Sequence, residues 1–459
     1  MRFVVLTFDG YGLPVAWQLQ REGYDVEVGQ VQDKAQTVSP IESPDEDDTD
    51  KERRLSLYDG MLKKRPAEEM IRRLESVKDP ENVFVFSDLN HLYRYSEQLE
   101  GMNFKGNFPT EEDYNLEIDR EAAKDFVATH YPQMRVGAKK RFKKASEARE
   151  FLEQSEDLWV LKGLEEDART VVPDVDDLEL ARGQIMDALG QNPGEYESAG
   201  FILELLIPSA LELTPQKIYL DGHPVATCMC IENKPMGAGN IGPMTDCAQD
   251  LVFSTELDDK INAIAFPPIV DEIASRRRGI FYWDASILVE PKTGRLYFGE
   301  FCSNRAGYNC LYTEMALAGG AGKYFDALAR GKSPYPAHSV AASVRIFNFH
   351  KEGGAALSGA TIDFKDRAAP NLWLKDAKMR RRRTVSAGYK EDLGVVTGAG
   401  RSVSEAATRA YRAVDEFSFE GAYQRPEFDF CSREYGTSIL RRLDYGLQRG
   451  LYKVGFGLL

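Results

Sequence analysis

A chain of 459 residues is too long for one simple core and points to two to four lobes. With 43% hydrophobic and 29% charged residues it has the composition of a soluble globular protein, and no apolar run approaches the roughly 18 residues that a membrane span needs. The formal net charge of -15 argues against a general nucleic-acid role, because phosphate backbones are bound chiefly through Lys and Arg.

The chain goes straight into an apolar strand, Arg2 to Phe8, without the layout of a signal peptide, and a cytoplasmic protein is expected. Asp9-Gly10-Tyr11-Gly12 turns into a helix over Leu13 to Arg21, Gly23 ends that helix, and Val26 to Val31 is a second strand. Such a βαβ start predicts a parallel sheet with ligands at its strand ends; two glycines are too few for a dinucleotide fingerprint. Asp33 to Glu52, polar around Asp45-Glu46-Asp47-Asp48, reads as a mobile surface loop. A helix carrying Met61, Met70, Ile71 and Leu74, a strand over Asn82 to Phe86 and a helix over Leu89 to Leu99 complete the first lobe.

A helix within Glu117 to His130 stops at Tyr131-Pro132. Ala145 to Gln154 reads as a helix, Leu158 to Lys162 as a strand, and the loop after it, Gly163 to Arg169, has one glycine and three acids, Glu165, Glu166 and Asp167. After a helix over Leu178 to Leu189, Glu204 interrupts the apolar strand Phe201 to Ile207, where an ionised carboxylate must find donors. Strands over Gln216 to Leu220 and Val225 to Ile231 are joined at Asp221-Gly222-His223-Pro224, and a Gly-rich loop, Gly237 to Met244, follows Glu232-Asn233-Lys234. The six cysteines, at 228, 230, 247, 302, 310 and 431, have no framework spacing and fit reduced thiols. Cys228 and Cys230 share a strand face, but without a histidine cluster no zinc site is expected. The basic runs Arg276-Arg277-Arg278 and Arg380-Arg381-Arg382-Arg383 read as solvated faces.

After a helix over Pro267 to Ser275, Ile280 to Val289 is a buried strand, Pro291-Lys292-Thr293-Gly294 a turn, and Arg295 to Cys302 the second strand of a hairpin. Asp284, Glu300, Asn304 and Arg305 then bring two carboxylates, an amide and a guanidinium together. Oxygen ligands of this kind suit Mg²⁺ shared with phosphate oxygens, while spacing alone equally allows strand carboxylates paired to Arg305. A helix over Leu311 to Leu328 follows, residues 345 to 400 mix short strands with turns, and Ser402 with Glu405 forms a capping box for a helix whose inner face is Ala406, Ala410, Val414 and Phe417.

A hairpin ending in Glu300-Phe301-Cys302-Ser303-Asn304-Arg305 resembles the metal-binding end of ATP-grasp ligases, with Cys302 where an Asn is usual. The helix with Arg120, Lys124, Asp125 and Phe126, the strand ending in Lys162 and the segment Gly394 to Arg425 are similar to phosphoribosylamine-glycine ligases in the same order, over roughly residues 1 to 425. The resemblance implies an α/β ATP-grasp fold with an N-terminal βαβ parallel-sheet lobe (1–110), a small ATP-grasp lobe (111–207), a large lobe with the metal-binding hairpin (208–345) and a small C-terminal α/β domain (346–459). It implies ATP and Mg²⁺ (or Mn²⁺) as cofactors, with Asp284, Glu300 and Asn304 on the metal and Arg120, Lys162 and Arg169 on phosphates. Glu204 and Glu212 would meet the ribose hydroxyls, and Arg305 would hold the acid substrate. The implied activity joins a small-molecule carboxylate to an amine through an acyl phosphate. A substrate pair other than that of the purine step is expected, because Asp9 to Pro14 lacks the basic side chain that would meet a phosphoribosyl partner. The alternative is a nucleotide-binding protein that kept the fold and lost catalysis.

Overall fold

The apolar run at the N-terminus forms β1 (Arg2–Thr7), the middle of a five-stranded parallel sheet. Its partners are β2 (Asp25–Gln30), β3 (Lys64–Pro66), β4 (Val83–Ser87) and β5 (Lys105–Gly106), in the order β3-β2-β1-β4-β5. The structure is a computed structural model and describes all residues except 35–45, 100, 165–169, 174–176, 208–210, 303–307, 337, 349–355, 390 and 433–437. Helices Leu13–Arg21, Ala67–Leu74 and Tyr93–Leu99 belong to this lobe; Met61 lies in a turn ahead of β3 rather than on a helix. The acidic stretch read as a loop is partly helical. Asp47 caps the helix Asp48–Ser56 by accepting from the Asp50 amide at 2.8 Å, and acids in the first turn suit the helix dipole. Arg54, fully buried, ties that helix down by donating to Glu46 and to the Val31 carbonyl, both at 2.6 Å.

The small lobe is an antiparallel sheet of β6 (Lys139–Phe142), β7 (Trp159–Gly163) and β8 (Phe201–Leu205), with β8 in the centre. Phe142, Trp159, Tyr196 and Phe201 fill its core beneath the helices Ala145–Gln154 and Leu178–Gln191. The single helix expected before it is two, Glu111–Ile118 and Arg120–His130. Asp119 breaks them apart, with ψ near 89° and a side chain accepting from the amides of Glu121 and Ala122.

The large sheet contains β9 (Leu211–Leu220), β10 (His223–Pro235), β11 (Met244–Thr255), β12 (Ile280–Val289), β13 (Leu296–Phe301) and β14 (Val340–Asn348). Its order is β13-β12-β9-β10-β11-β14, continued by the strands Asp392–Gly400 and Leu372–Leu374. The sheet therefore runs on past residue 345 into the C-terminal part of the chain. One apolar core joins Phe3 and Phe84 of the first lobe to Ile218 and Tyr282 of this sheet through Met315 and Phe325. Another packs the opposite face, with Met229 and Trp283, against Ala406 and Leu440.

The helix expected over Leu311 to Leu328 divides at Gly319-Gly320, both with positive φ, into Tyr308–Ala318 and Ala321–Leu328. Glu22 caps the second piece across lobes, accepting from the Ala321 amide at 2.9 Å and the Gly322 amide at 2.7 Å. Gly322 lets the Tyr24 ring lie against this helix, since a Cβ there would be 2.2 Å from the ring and force it to shift. In the C-terminal helix Val403–Val414, Ser402 caps the Glu405 amide, while Glu405 reaches back to the Arg401 amide instead of closing the box on Ser402. Among the described residues no helix is long and apolar enough to cross a membrane.

Candidate active site

The small sheet supplies the first part of the site. β8 carries Glu204 opposite Val160 on β7 and Lys139 on β6. Its Oε1 accepts from Lys124 Nζ at 2.5 Å and its Oε2 pairs with Lys162 Nζ at 2.7 Å. Lys124 is buried on the helix Arg120–His130, whereas the Lys162 side chain is a quarter exposed. Burial pushes the Glu204 carboxyl up, but the two lysines outweigh it and the net shift is downward. Lys124 is lowered, chiefly by burial, with Glu204 resisting and Lys162 adding to the shift. Two ammonium groups thus share one carboxylate, and the triad keeps one positive charge uncompensated. Lys162 stands where the sequence placed it, and both Glu204 oxygens are taken up by lysines.

The large sheet supplies the second part. Alternation along β10 puts Cys228, Cys230, Glu232 and Lys234 on one face. Lys234 Nζ donates to Glu212 Oε1 on β9 at 2.8 Å and to Glu300 Oε1 on β13 at 3.3 Å, and Ser286 Oγ donates to the same Glu212 oxygen at 2.6 Å. Glu300 reaches Lys234 because of a bulge: Ala285 pairs with Phe301 and Ile287 with Phe298, so Gly299 and Glu300 both stand across from Ser286. Gly299 leaves no room for a side chain, its Cβ position being 2.6 Å from Ser286 Oγ.

Lys234 holds the carboxyl of the half-exposed Glu300 down at about 2, with Arg120 and Lys162 adding to it and partial desolvation opposing. The exposed Arg120, first residue of its helix, and the small-lobe Lys162 thus act on the hairpin carboxylate through their charge. Burial opposes the Lys234 charge, yet Glu212, Glu300 and Glu232 raise it well above the usual lysine range. Glu232 is pushed up to about 8 by burial, with Glu212, Asp250 and Glu300 adding and Lys234 opposing. Asp284 is buried on β12 opposite Gln216, and its carbonyl accepts from the Cys302 amide at 3.2 Å, which closes the end of the hairpin. Arg169, Asn304 and Arg305 lie outside the described residues.

The Gly-rich loop after β10 is held from the C-terminal segment. Arg425 donates to the Pro235 carbonyl at 2.7 Å and to Asn240 Oδ1 at 2.8 Å while pairing with Asp429, both side chains fully buried. Arg442 grips the Glu232 carbonyl and Asn233. At the end of β1, by contrast, the Gly10 to Gly12 turn is closed from within. Asp88 accepts from the Phe8 amide (3.0 Å), the Gly12 amide (2.9 Å) and Thr7 Oγ1 (2.5 Å), so these donors are already taken.

Sequence reasoning singled out Lys162, Glu204, Glu212, Asp284, Glu300 and Arg120 but not Lys234; Glu204 and Glu212, expected on ribose hydroxyls, are instead engaged by lysines. The signal for Lys234 was a polar stripe of period two, Cys228, Cys230, Glu232, Lys234, emerging from an apolar strand just before a Gly-rich loop. Ammonium and guanidinium groups on one side and oxygen ligands on the other form a site suited to a polyphosphate with a divalent cation.

Solved structures share this architecture, and the chain has the ATP-grasp fold: a parallel-sheet N-terminal lobe with antiparallel small and large sheets. Phosphoribosylamine-glycine ligase from Thermotoga maritima superposes with a TM-score of 0.61 at 17% identity, over 93% of this chain and 100% of that one. A biotin carboxylase-beta-gamma-ATP complex from Campylobacter jejuni gives 0.56 at 14%, covering 99% and 98%. The biotin carboxylase domain of Hydrogenobacter thermophilus 2-oxoglutarate carboxylase, in complex with MgADP, ADP and bicarbonate, gives 0.57 at 13%, covering 99% and 96%. No protein-family model matches the sequence, and no curated protein matches it significantly.

Proposed function

We propose that the chain is an ATP-dependent carboxylate-amine ligase that works through an acyl phosphate, similar to phosphoribosylamine-glycine ligase but acting on a different amine or amino acid. The observation that carries this reading is the net-positive Lys124-Glu204-Lys162 triad on the small sheet, with the hairpin carboxylate Glu300 paired to Lys234 on the large sheet. An anionic ligand compensates the triad, and a divalent cation suits the carboxylates. The donor set fits Mg-ATP on one further ground: Glu212 and Glu300 already hold a cation, the Lys234 ammonium, between their oxygens.

In this reading Lys124, Lys162, Arg120 and Arg169 receive the phosphates, and Asp284, Glu300 and Asn304 hold the ion. A bound Mg²⁺ supplies charge neutralisation on the transferring phosphoryl group. Glu212 keeps Lys234 in place beside Glu300, and Arg305 orients the acid substrate through a two-pronged guanidinium contact. An oxygen of that acid attacks the γ-phosphorus as ADP leaves; the amine then attacks the acyl carbon and phosphate departs. No side-chain nucleophile is needed. The β1 turn closed by Asp88 argues against a phosphoribosyl partner at that end of the sheet. The second reading, a binder without turnover, is favoured by the acids Glu165, Glu166 and Asp167 after Lys162.

Calorimetric titration with a non-hydrolysable ATP analogue and Mg²⁺, followed by ADP release with a panel of acids and amines, tests both. Absence of binding up to millimolar analogue sinks both readings, and binding without acid-dependent ADP release leaves the second. With an active pair in hand, Arg305→Lys should raise the KM for the acid and leave that for ATP nearly unchanged; the reverse would make Arg305 a phosphate ligand.

A further inference from the structure

We propose that Cys230, Glu232 and Asp250 form a second cation site, for a thiophilic divalent metal of the zinc class. β10 and β11 pair antiparallel with Glu232 directly opposite Asp250, and Cys230 lies two residues back on the same face. The Cys230 sulfur and one carboxylate oxygen from each acid all lie within 4.8 Å of one another. Cys230 Sγ to Glu232 Oε1 is 3.8 Å. With metal-sulfur and metal-oxygen bonds of about 2.3 and 2.1 Å, a tetrahedral zinc site has a sulfur-oxygen edge of about 3.6 Å, so the two ligands need scarcely move.

A separate observation also points to a missing positive partner. Asp250 is fully buried, and its Oδ1 is fixed by hydroxyl donors, Thr313 at 2.8 Å and Ser343 at 2.5 Å. Its Oδ2 is equally buried and receives no hydrogen bond. A buried carboxyl oxygen left in that state is costly. The Lys234 ammonium is committed to Glu212 and Glu300, and the buried Arg345, whose charge also acts on Asp250, bonds to Asp246 and Asn309 and pairs with Asp392. A divalent ion bound by Asp250, a Glu232 oxygen and the Cys230 thiolate would give the buried carboxyl that partner.

The thiolate selects a zinc-class ion over Mg²⁺. Three protein ligands leave a fourth position open, on the side of Glu232, the half-buried member of the set. Its Asp250 end stands apart from the hairpin carboxylates, while Glu232 borders the Lys234 network. Asp284 on β12 and Asp250 on β11 are three strand spacings apart, about 14 Å. It does not depend on the ligase reading.

The test is a Co²⁺ titration of the chelator-stripped full chain, read by the near-ultraviolet thiolate-to-cobalt charge-transfer band. One equivalent should develop the band, Zn²⁺ should abolish it, and excess Mg²⁺ should not. Cys230→Ser should lose the band, and Glu232→Gln should weaken Co²⁺ binding roughly tenfold or more; Cys228→Ser and Glu300→Gln should leave it intact. Circular dichroism checks the fold of each variant, and if Cys230→Ser fails to fold, Glu232→Gln decides. A wild-type chain without the band, a band that survives Cys230→Ser, unchanged affinity in Glu232→Gln, or a band lost in Cys228→Ser or Glu300→Gln overturns the proposal.

Discussion

Replacing Glu204 by Gln separates two accounts of this residue. If Glu204 met the ribose of a nucleotide, the change would weaken nucleotide binding. If it spaces two lysines for phosphates, the change destabilises the free chain and leaves nucleotide binding intact or stronger. The structure favours the second: both carboxylate oxygens are on ammonium groups, at 2.5 and 2.7 Å, with Lys124 4% and Glu204 11% exposed. Removing one partner of a buried pair costs about 3 to 5 kcal/mol. Lys162, a quarter exposed, can turn to water, so about 2 to 4 kcal/mol is expected. Because the folded carboxyl is depressed, its contribution is fully present above the ordinary value near 4.5 and lost as pH falls through the lower folded value. The gap between wild type and variant should therefore be flat at neutral pH and close in acid. Denaturant unfolding from pH 7 to 3, with and without a non-hydrolysable ATP analogue, measures both effects. The analogue should stabilise the variant at least as much as wild type, its phosphates replacing the lost negative charge. A cost below about 0.5 kcal/mol, the ordinary range for surface substitutions, or a smaller analogue effect in the variant, would refute the reasoning.

Glu300→Gln should abolish turnover while the chain still folds, since it keeps shape and deletes a charge the metal needs; wild-type turnover would return Glu300 to an ordinary strand position. Lys234→Met should release the Glu300 carboxyl from about 2 toward its usual range. Glu300 contributes stability above pH 4.5 that fades as pH drops toward 2, so the variant's melting temperature should depend less steeply on pH across that window, by an amount tempered by solvent screening at this half-exposed side chain. Arg425→Ala strands Asp429 in a fully buried pair and should cost about 3 to 5 kcal/mol. Limited proteolysis should then cut the Gly-rich loop faster than in wild type, and unchanged cleavage would show that Arg425 does not hold that loop.

What could be read from the sequence was what local patterning decides. The hairpin was visible because an unbroken apolar run, a Pro-Lys-Thr-Gly turn and a polar end follow one another, and the first βαβ unit because Gly23 stops its helix. β11 was not visible. Its buried Gln249 and Asp250 find Tyr411, Thr313 and Ser343 from distant elements, so the strand lacks an apolar signature of its own. The helix break at Asp119 depends on a side chain capping one helix as another ends, and the surface helix after Asp47 on the burial of Arg54, neither of which hydrophobic period records. In the site, residue types at strand ends gave Lys162 and Glu300. That Glu204 would serve two lysines, and that Lys234 would bridge two acids, follows from which strands become neighbours in the sheet.

The clamp on the Gly-rich loop also sets an order of events during synthesis. β10 and its loop leave the ribosome roughly 200 residues ahead of the arginines that fasten them: Arg425 reaches back 190 positions to Pro235 and Arg442 reaches back 210 to Glu232. At about 5 to 20 residues per second, that is an interval of about 10 to 40 s. Throughout it the nascent large sheet has its loop unfastened and the face that receives Ala406 and Leu440 uncovered, so closure of that face waits on residues made well after the strands they cover.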